Sequence, residues 1–331
     1  MPAVNAGNLT LLDNIKRTDP NGAIATIVET LTQRNAILKD ATFMEGNLPT
    51  GHRFTSRAAL PGVGWRRYNE GIAPSKSRTS QVDETCGQLE GNSIVDAELA
   101  KVNGNENAFR ASENNGFLQA LNNEMETGVF YHSTLTNPEK FMGLTPRYGA
   151  TTQAAGGSQI IKMDPAAAGN DQSSMWLVCW SPDTVFGIYP KGSSVGLTPH
   201  DLGEQFLTDA GGVNRFRALV MNWNWKIGLC VRDWRYVVRI ANIDTSNLLA
   251  TGSALIQAMI KAYHQIFDPT MGRLVFYANR LVVTYLHLQA LDTVKNATLK
   301  IESIGGQAIV TFLGVPIRET DALLNTEAVV A

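Results

Sequence analysis

Residues 46–82 read GNLPTGHRFTSRAALPGVGWRRYNEGIAPSKSRTSQV, a stretch that differs in kind from the rest of the chain. Glycine and proline recur through it, and short strand-like runs flank a Pro-Gly-Val-Gly turn at 61–64. Large apolar residues are few, although Phe54, Trp65, Tyr68 and Ile72 recur along it. The stretch therefore predicts an extended two-stranded hairpin. A lone hairpin is at best marginally stable in water, so this one needs a surface outside itself to lie on.

The hairpin is strongly basic. It carries six basic residues and a single acid, Glu70, for a local charge of +5. Such a ribbon could contact nucleic-acid phosphates or the acidic face of a neighbouring subunit. We favour the neighbouring subunit, because a ribbon with so little apolar content needs sister chains beneath it. The predicted interface residues are Arg53, Arg57, Trp65, Arg66, Arg67, Lys76 and Arg78.

Helices are predicted on both sides of the hairpin in the sequence. Residues 105–131 are expected to form the clearest helix, and residues 247–267 a second one that ends at Asp268-Pro269. The first forty residues predict short helices, either an arm or the first core helix. The apolar stripe of the clearest helix consists of Phe117, Leu118, Leu121, Met125 and Val129.

The second half of the chain is rich in predicted strands. Residues 175–180 and 185–189 are short and apolar, and residues 298–319 read as strand, Gly-Gly turn and strand. Apolar residues alternate strictly from Trp223 to Val231, and the parity then shifts at Arg232-Asp233, where a turn or bulge would reset the register. After the shift, Trp234, Tyr236, Val238 and Ile240 are expected to share a face. Without regular strand-helix alternation, the fold class is α+β.

The totals exclude several classes of protein. The chain has 331 residues, a net charge of -2 and only 18% charged residues, so it does not resemble a nucleic-acid binder as a whole. Three widely spaced cysteines support neither a disulfide framework nor a metal site. We see no signal peptide and no apolar run of the ~18 residues that a membrane helix needs. We expect no cofactor, no metal and no membrane contact.

Residues 192–196 match a catalytic motif. Gly192-Ser193-Ser194-Val195-Gly196 matches GxSxG, the nucleophile elbow that places a serine between a strand and a helix. Pro199 falls where that helix should run, and proline removes a helix hydrogen bond. We therefore interpret the motif as a Gly/Ser loop, and we expect no catalytic residue and no enzyme activity. Trp223, Trp225 and Trp234 could stack on bases, but aromatic residues on an alternating strand more often fill a core.

Several long segments carry a family resemblance. They are LPTGHRFTSRAALPGVGWRRYNEGIAPSKSRTSQV (48–82), NPEKFMGLTPRYG (137–149), WKIGLCVRDWRYVVRIANID (225–244), GRLVFYANR (272–280) and TFLGVPIRETDAL (311–323). With the order of elements, they resemble the major capsid proteins of short-tailed bacteriophages, the podoviruses, which have the tailed-phage capsid fold known as the Johnson fold.

The resemblance implies a domain organisation. Residues 1–43 would be an N-terminal arm, and residues 44–90 an extended loop that overlies an adjacent subunit. Residues 91–154 and 296–331 would form the peripheral domain with its long spine helix, and residues 155–295 the axial domain. Some members of the family permute these elements, and some crosslink subunits through a lysine. Lys76 is the only lysine of the hairpin, but it has no identifiable partner, so no crosslink is predicted.

The resemblance also implies a function and partners. The chain would self-assemble as pentamers and hexamers into an icosahedral shell enclosing packaged double-stranded DNA. The expected partners are further copies, a scaffold, a portal and a possible cement or decoration protein, with non-specific DNA contact on the inner face. The expected location is the virion capsid, assembled in the cytoplasm of a host bacterium. Two alternatives remain open: a shell of a bacterial nanocompartment (an encapsulin) and a hydrolase that uses Ser194.

Overall fold

A computed structural model of the chain describes residues 9, 11, 13, 35–102, 104–164, 169–209, 212–246, 248–290, 299–304 and 307–331. The helices are α1 Ile37–Asp40, α2 Ala97–Lys101, α3 Glu106–Tyr131, α4 Leu248–Gln265 and α5 Arg280–Ala290. The strands are β1 Phe43–Glu45, β2 Gly51–Ala59, β3 Arg78–Thr85, β4 Gly87–Asp96, β5 Ile160–Lys162, β6 Gln172–Trp180, β7 Val185–Tyr189, β8 Leu197–Thr208, β9 Arg215–Val231, β10 Val237–Asp244, β11 Arg273–Ala278, β12 Leu299–Ile304, β13 Gln307–Phe312 and β14 Val315–Glu319.

One large mixed sheet organises the described chain. Its main path runs β12-β13-β14-β11-β6-β7-β9-β4, with β1, β5, β8 and β10 attached beside it, while β2 and β3 pair only with each other. Parallel pairs such as β11 with β14 lie beside antiparallel pairs such as β4 with β9. Helices and sheet without regular alternation confirm the α+β class.

The long helix α3 covers one face of the sheet. It matches the helix predicted over 105–131, and Leu121, Met125 and Val129 of its stripe are buried, with Phe117 and Leu118 half-buried beside them. They pack in one cluster with Trp223 and Trp225 of β9. Both tryptophans are therefore core residues, as their position on an alternating strand predicted.

Strand β6 lies at the centre, between two apolar clusters. Trp176, Val178 and Trp180 belong to the cluster that contains α3, whereas Leu177 and Cys179 belong to a second cluster with α4 and α5. Every residue of β6 is buried. Successive side chains of a strand point to opposite faces, so the sheet here is covered on both sides.

The register shift after Val231 is a turn. Residues Trp234–Tyr236 form one turn of 3-10 helix between β9 and β10. Tyr236, Val238 and Ile240 lie in the second cluster, as predicted, but Trp234 does not. Its predicted place on that face is wrong, because the 3-10 turn interrupts the alternation before β10 begins.

Some elements differ from the sequence-based expectation. The separate hairpin is shorter than 44–90, because β4 leaves it at Gly87 and pairs along its whole length with β9. The C-terminal strands β12 and β13 pair as predicted, whereas β8 and α5 were not predicted. The short helices expected before residue 35 lie almost wholly outside the described residues. The division into arm, peripheral and axial domains stays a prediction, and the continuous sheet spans both predicted domains.

Candidate subunit interface

The basic stretch forms the predicted hairpin. Strands β2 and β3 pair antiparallel from Gly51 opposite Thr85 to Arg57 opposite Thr79, with a register shift before Ala59. At the root, a Cβ on Gly51 would lie only 1.9 Å from the carbonyl oxygen of Glu84. Only glycine lets the two strands approach this closely.

The two faces of the hairpin differ in character. Alternation puts Phe54 and its partner Val82 on one face, and Arg53, Asp83 and Arg57 on the other. Phe54 packs on a small cluster formed by Phe186, Ile188 and Cys230, so the apolar face at the root is attached to the body of the chain.

A buried ion pair fastens the root. The Arg147 guanidinium donates to both carboxylate oxygens of Glu84, at 2.5 and 2.6 Å. The Glu84 side chain is 6% exposed. Arg147 also donates to the carbonyl oxygens of Gly143 and Met142, each at 3.1 Å. A bidentate pair with every polar atom bonded in low-dielectric surroundings holds β3 in one position. Neither residue was among the predicted interface residues. The two lie 63 positions apart, so their pairing leaves no signal in a local sequence pattern.

The tip loop, residues 60–77, contains no helix or strand. All of its residues are exposed, and Val63, Trp65 and Tyr68 are each at least 94% exposed. Its internal bonds are few, chiefly from the Ser75 hydroxyl to the Gly62 carbonyl at 2.6 Å. Exposed large apolar side chains grouped on one projection are typical of an interaction site.

The predicted interface residues separate into two groups. Arg53 forms a bidentate pair with Asp83 on its own hairpin, at 2.5 and 2.6 Å, which holds the pKa of that carboxyl below its usual range. The other five basic residues are exposed, and within the described part of the chain they form no ion pair. These five are Arg57, Arg66, Arg67, Lys76 and Arg78. The structure therefore brings Trp65 and five unpaired cations together on one projection.

A cleft lies beneath the hairpin. Its volume is about 1280 Å³. Phe54, Leu60 and Val82 line it from the hairpin, and Trp234 and Met271 line it from the body. Leu60, Val82, Trp234 and Met271 are all exposed. Sequence reasoning missed the body side of this cleft, because residues 231–235 and 271 lie far from the hairpin along the chain.

The serine motif does not have the geometry of a nucleophile. Strand β8 begins at Leu197, directly after the motif, where an elbow needs a helix. The Ser194 hydroxyl lies 3.1 Å from the Thr198 hydroxyl, and within the described residues it has no histidine partner.

No group of three or more His, Cys, Asp or Glu residues suited to a metal occurs among the described residues. Within that same part of the chain, no helix is long and apolar enough to span a membrane.

A family model and a solved structure both match this chain along most or all of its length. The sequence model of the family described as major capsid protein GP7 matches residues 19–331. A chain of the cryo-EM structure of bacteriophage epsilon15 is 39% identical, with a TM-score of 0.80, over 100% of this chain and 99% of that chain. No curated protein sequence matches significantly.

Other solved structures match with lower sequence identity and lower TM-scores. The capsid of bacteriophage JBD30 is 10% identical, with a TM-score of 0.47, over 89% of this chain and 92% of that one. The holo-SrpI encapsulin complex of Synechococcus elongatus PCC 7942 is 10% identical, with a TM-score of 0.41, over 66% of this chain and 93% of that one.

Proposed function

Because this chain belongs to the major capsid protein GP7 family, whose members are structural proteins of a phage shell, we propose that its basic hairpin joins each subunit to a neighbouring copy. The single observation that carries the proposal is the tip loop at 60–77, which exposes aromatic and unpaired basic side chains together. Trp65, Arg57, Arg66, Arg67, Lys76 and Arg78 contact the neighbour. Arg53 contributes by stiffening the hairpin through Asp83.

Weak contacts suit a closed shell. An exposed ion pair contributes about 0–1 kcal/mol, so a wrongly placed subunit can dissociate. Repeated around every subunit, several such contacts add up to a stable container by multivalency. Arginine is well suited, because its planar guanidinium pairs with a carboxylate through two hydrogen bonds.

The wider assembly follows from the same proposal. Subunits gather as pentamers and hexamers into an icosahedral shell around double-stranded DNA, whose phosphates meet the inner face without sequence preference. A scaffold, a portal and a cement protein act as partners, and assembly takes place in the cytoplasm of the host bacterium. The predicted division into arm, peripheral and axial domains belongs to this proposal. The encapsulin alternative has only a distant likeness behind it, and no catalytic function is proposed.

The test is an Arg66→Ala, Arg67→Ala double variant. We expect fewer shells, with lower resistance to salt and heat, while the melting temperature of the unassembled subunit stays unchanged because both side chains are exposed. The matched control is Lys191→Ala with Lys261→Ala, which removes two exposed positive charges outside the hairpin. Normal particle yield and unchanged salt and heat resistance in the Arg66/Arg67 variant would contradict the proposal.

A further inference from the structure

Three distant parts of the chain meet at one buried carboxyl group. Glu126 lies on the inner face of α3, and its side chain is completely buried. Ala36, where the chain enters α1, approaches it from one side. Thr320, directly after β14, approaches it from the other.

The two oxygens of Glu126 have unequal surroundings. Oε1 accepts a hydrogen bond from the Thr320 hydroxyl at 2.8 Å and one from the Ala36 backbone N–H at 3.3 Å. Oε2 is buried and has no partner among the described residues. A buried ionised carboxylate normally has all its lone pairs satisfied, so an unpartnered Oε2 marks the place where a proton would sit.

No cation neutralises this carboxylate within the described part of the chain. Charged groups on the three segments that meet at Glu126 are already paired with others. They are Asp321, 2.8 Å from Arg280, then Asp40, which pairs with Arg273 and Arg318, and Glu124, which pairs with Lys140 and His132. An unpaired buried charge costs several kcal/mol in general, and such a group normally neutralises instead.

We propose that Glu126 is a proton-sensitive latch that holds the Ala36 and Thr320 segments on α3 while it is protonated and loosens them when it ionises. Ionisation releases the proton from Oε2 to solvent and leaves a negative charge that no group of the described residues balances. Opening the junction then lets water solvate that charge. This latch is independent of the hairpin contact proposed above.

The titration of Glu126 falls near neutral pH. Burial raises the pKa of Glu126 to about 7, the nearby Asp321 adds to the increase, and the hydrogen bonds from Thr320 and Ala36 oppose it. In an opened junction the carboxyl regains an ordinary pKa near 4.5. The closed form thus binds more protons between these two values. Closure is favoured at low pH, weakens as the pH rises towards 7, and stays level above 7.

Hydrogen exchange around Ala36, measured on the full chain between pH 5 and 8 and corrected for intrinsic exchange, tests the latch. We expect the open population to rise about tenfold per pH unit until the curve levels near pH 7. Glu126→Gln keeps an oxygen acceptor but cannot ionise, so its corrected exchange should not depend on pH. The control Glu106→Gln makes the same change at the start of α3 and should retain the wild-type profile.

Thr320→Val supplies a second test that does not need Glu126→Gln to fold. The valine removes a hydroxyl that favours the ionised form, so the levelling point should move to higher pH. A purely structural role for Thr320 would change the amount of exchange without moving that point. Identical pH profiles in wild type and Glu126→Gln, or an unmoved levelling point in Thr320→Val, would overturn the latch. Shell yield plays no part in this readout, so failure of the hairpin contact would be recognised separately.

Discussion

Arg239 and Glu327, 88 residues apart in the chain, form an ion pair inside the protein, with 2.8 Å between Nη2 and Oε2. Arg239 is only 2% exposed. Its remaining nitrogens donate to the Ser174 hydroxyl at 3.0 Å and the Tyr148 carbonyl at 2.9 Å, while Tyr131 donates to Glu327 at 2.5 Å. The pair therefore ties the C-terminal segment to β10, which pairs with the central strand β6.

Removing one partner should be costly. Glu327→Gln leaves the Arg239 guanidinium buried without a counter-charge, and breaking a buried pair in this way costs about 3–5 kcal/mol. We expect the free energy of unfolding to fall by that amount in chemical denaturation of the unassembled subunit. The control is Asp183→Asn, which breaks the exposed pair with Arg232 and should cost about 0–1 kcal/mol. Equal effects from the two variants would mean that Arg239 finds another partner or solvent.

The fixed position of the hairpin should depend on Arg147. Arg147→Met keeps much of the side-chain volume but leaves Glu84 without its bidentate partner. We expect β3 to separate from the body more often, seen as faster hydrogen exchange and easier proteolysis over 78–85, together with a lower shell yield. The effect on the free energy of unfolding should be about 3 kcal/mol.

Arg53→Met is the matched control for that prediction. It removes the other bidentate arginine pair of the hairpin, whose partners are half-exposed rather than buried. Exchange over the whole of β3, 78–85, should then stay at the wild-type rate, although the outer face of the hairpin becomes less rigid. If both arginine variants loosened the root equally, burial of the Glu84 pair would not be what fixes the hairpin.

Local patterns predicted the elements that have strong local signals. The hairpin has glycines, prolines and charge in one stretch, and α3 has a helical stripe, so both were predicted close to their observed bounds. Strand β8 was missed, because Leu197–Thr208 contains proline, glycine and three charged or titratable residues without apolar alternation. Pairing with β9 along its whole length makes it a strand, and a tertiary partner is not visible in a local pattern.

Helix α5 was missed for a related reason. Strand β11 and α5 share one apolar run, and only Asn279 separates them. Its side chain accepts from the Leu281 N–H at 3.0 Å and so starts the helix. At the candidate interface, composition predicted the basic residues of the hairpin, but the Glu84–Arg147 pair and the cleft wall join positions too distant for any spacing rule.

The three cysteines should be nearly inert in the folded chain. None of Cys86, Cys179 and Cys230 is in a disulfide, and burial raises the pKa of the first two thiols to about 11 and of the third to about 12. The thiolate is the reactive form, and its fraction at pH 8 falls about tenfold for each unit by which the pKa rises. At least two units separate these thiols from the ordinary value of 9.0, so alkylation by iodoacetamide at pH 8 should be at least about a hundredfold slower than for an exposed cysteine. The rate of alkylation should rise with pH up to about 11, because deprotonation of the thiols limits it.

Mass spectrometry should detect no adduct on the native chain at pH 8 and three after denaturation. Rapid modification of Cys86, the half-buried cysteine beside the hairpin root, would instead mean that the root opens readily and that the ion pair between Arg147 and Glu84 holds it only weakly.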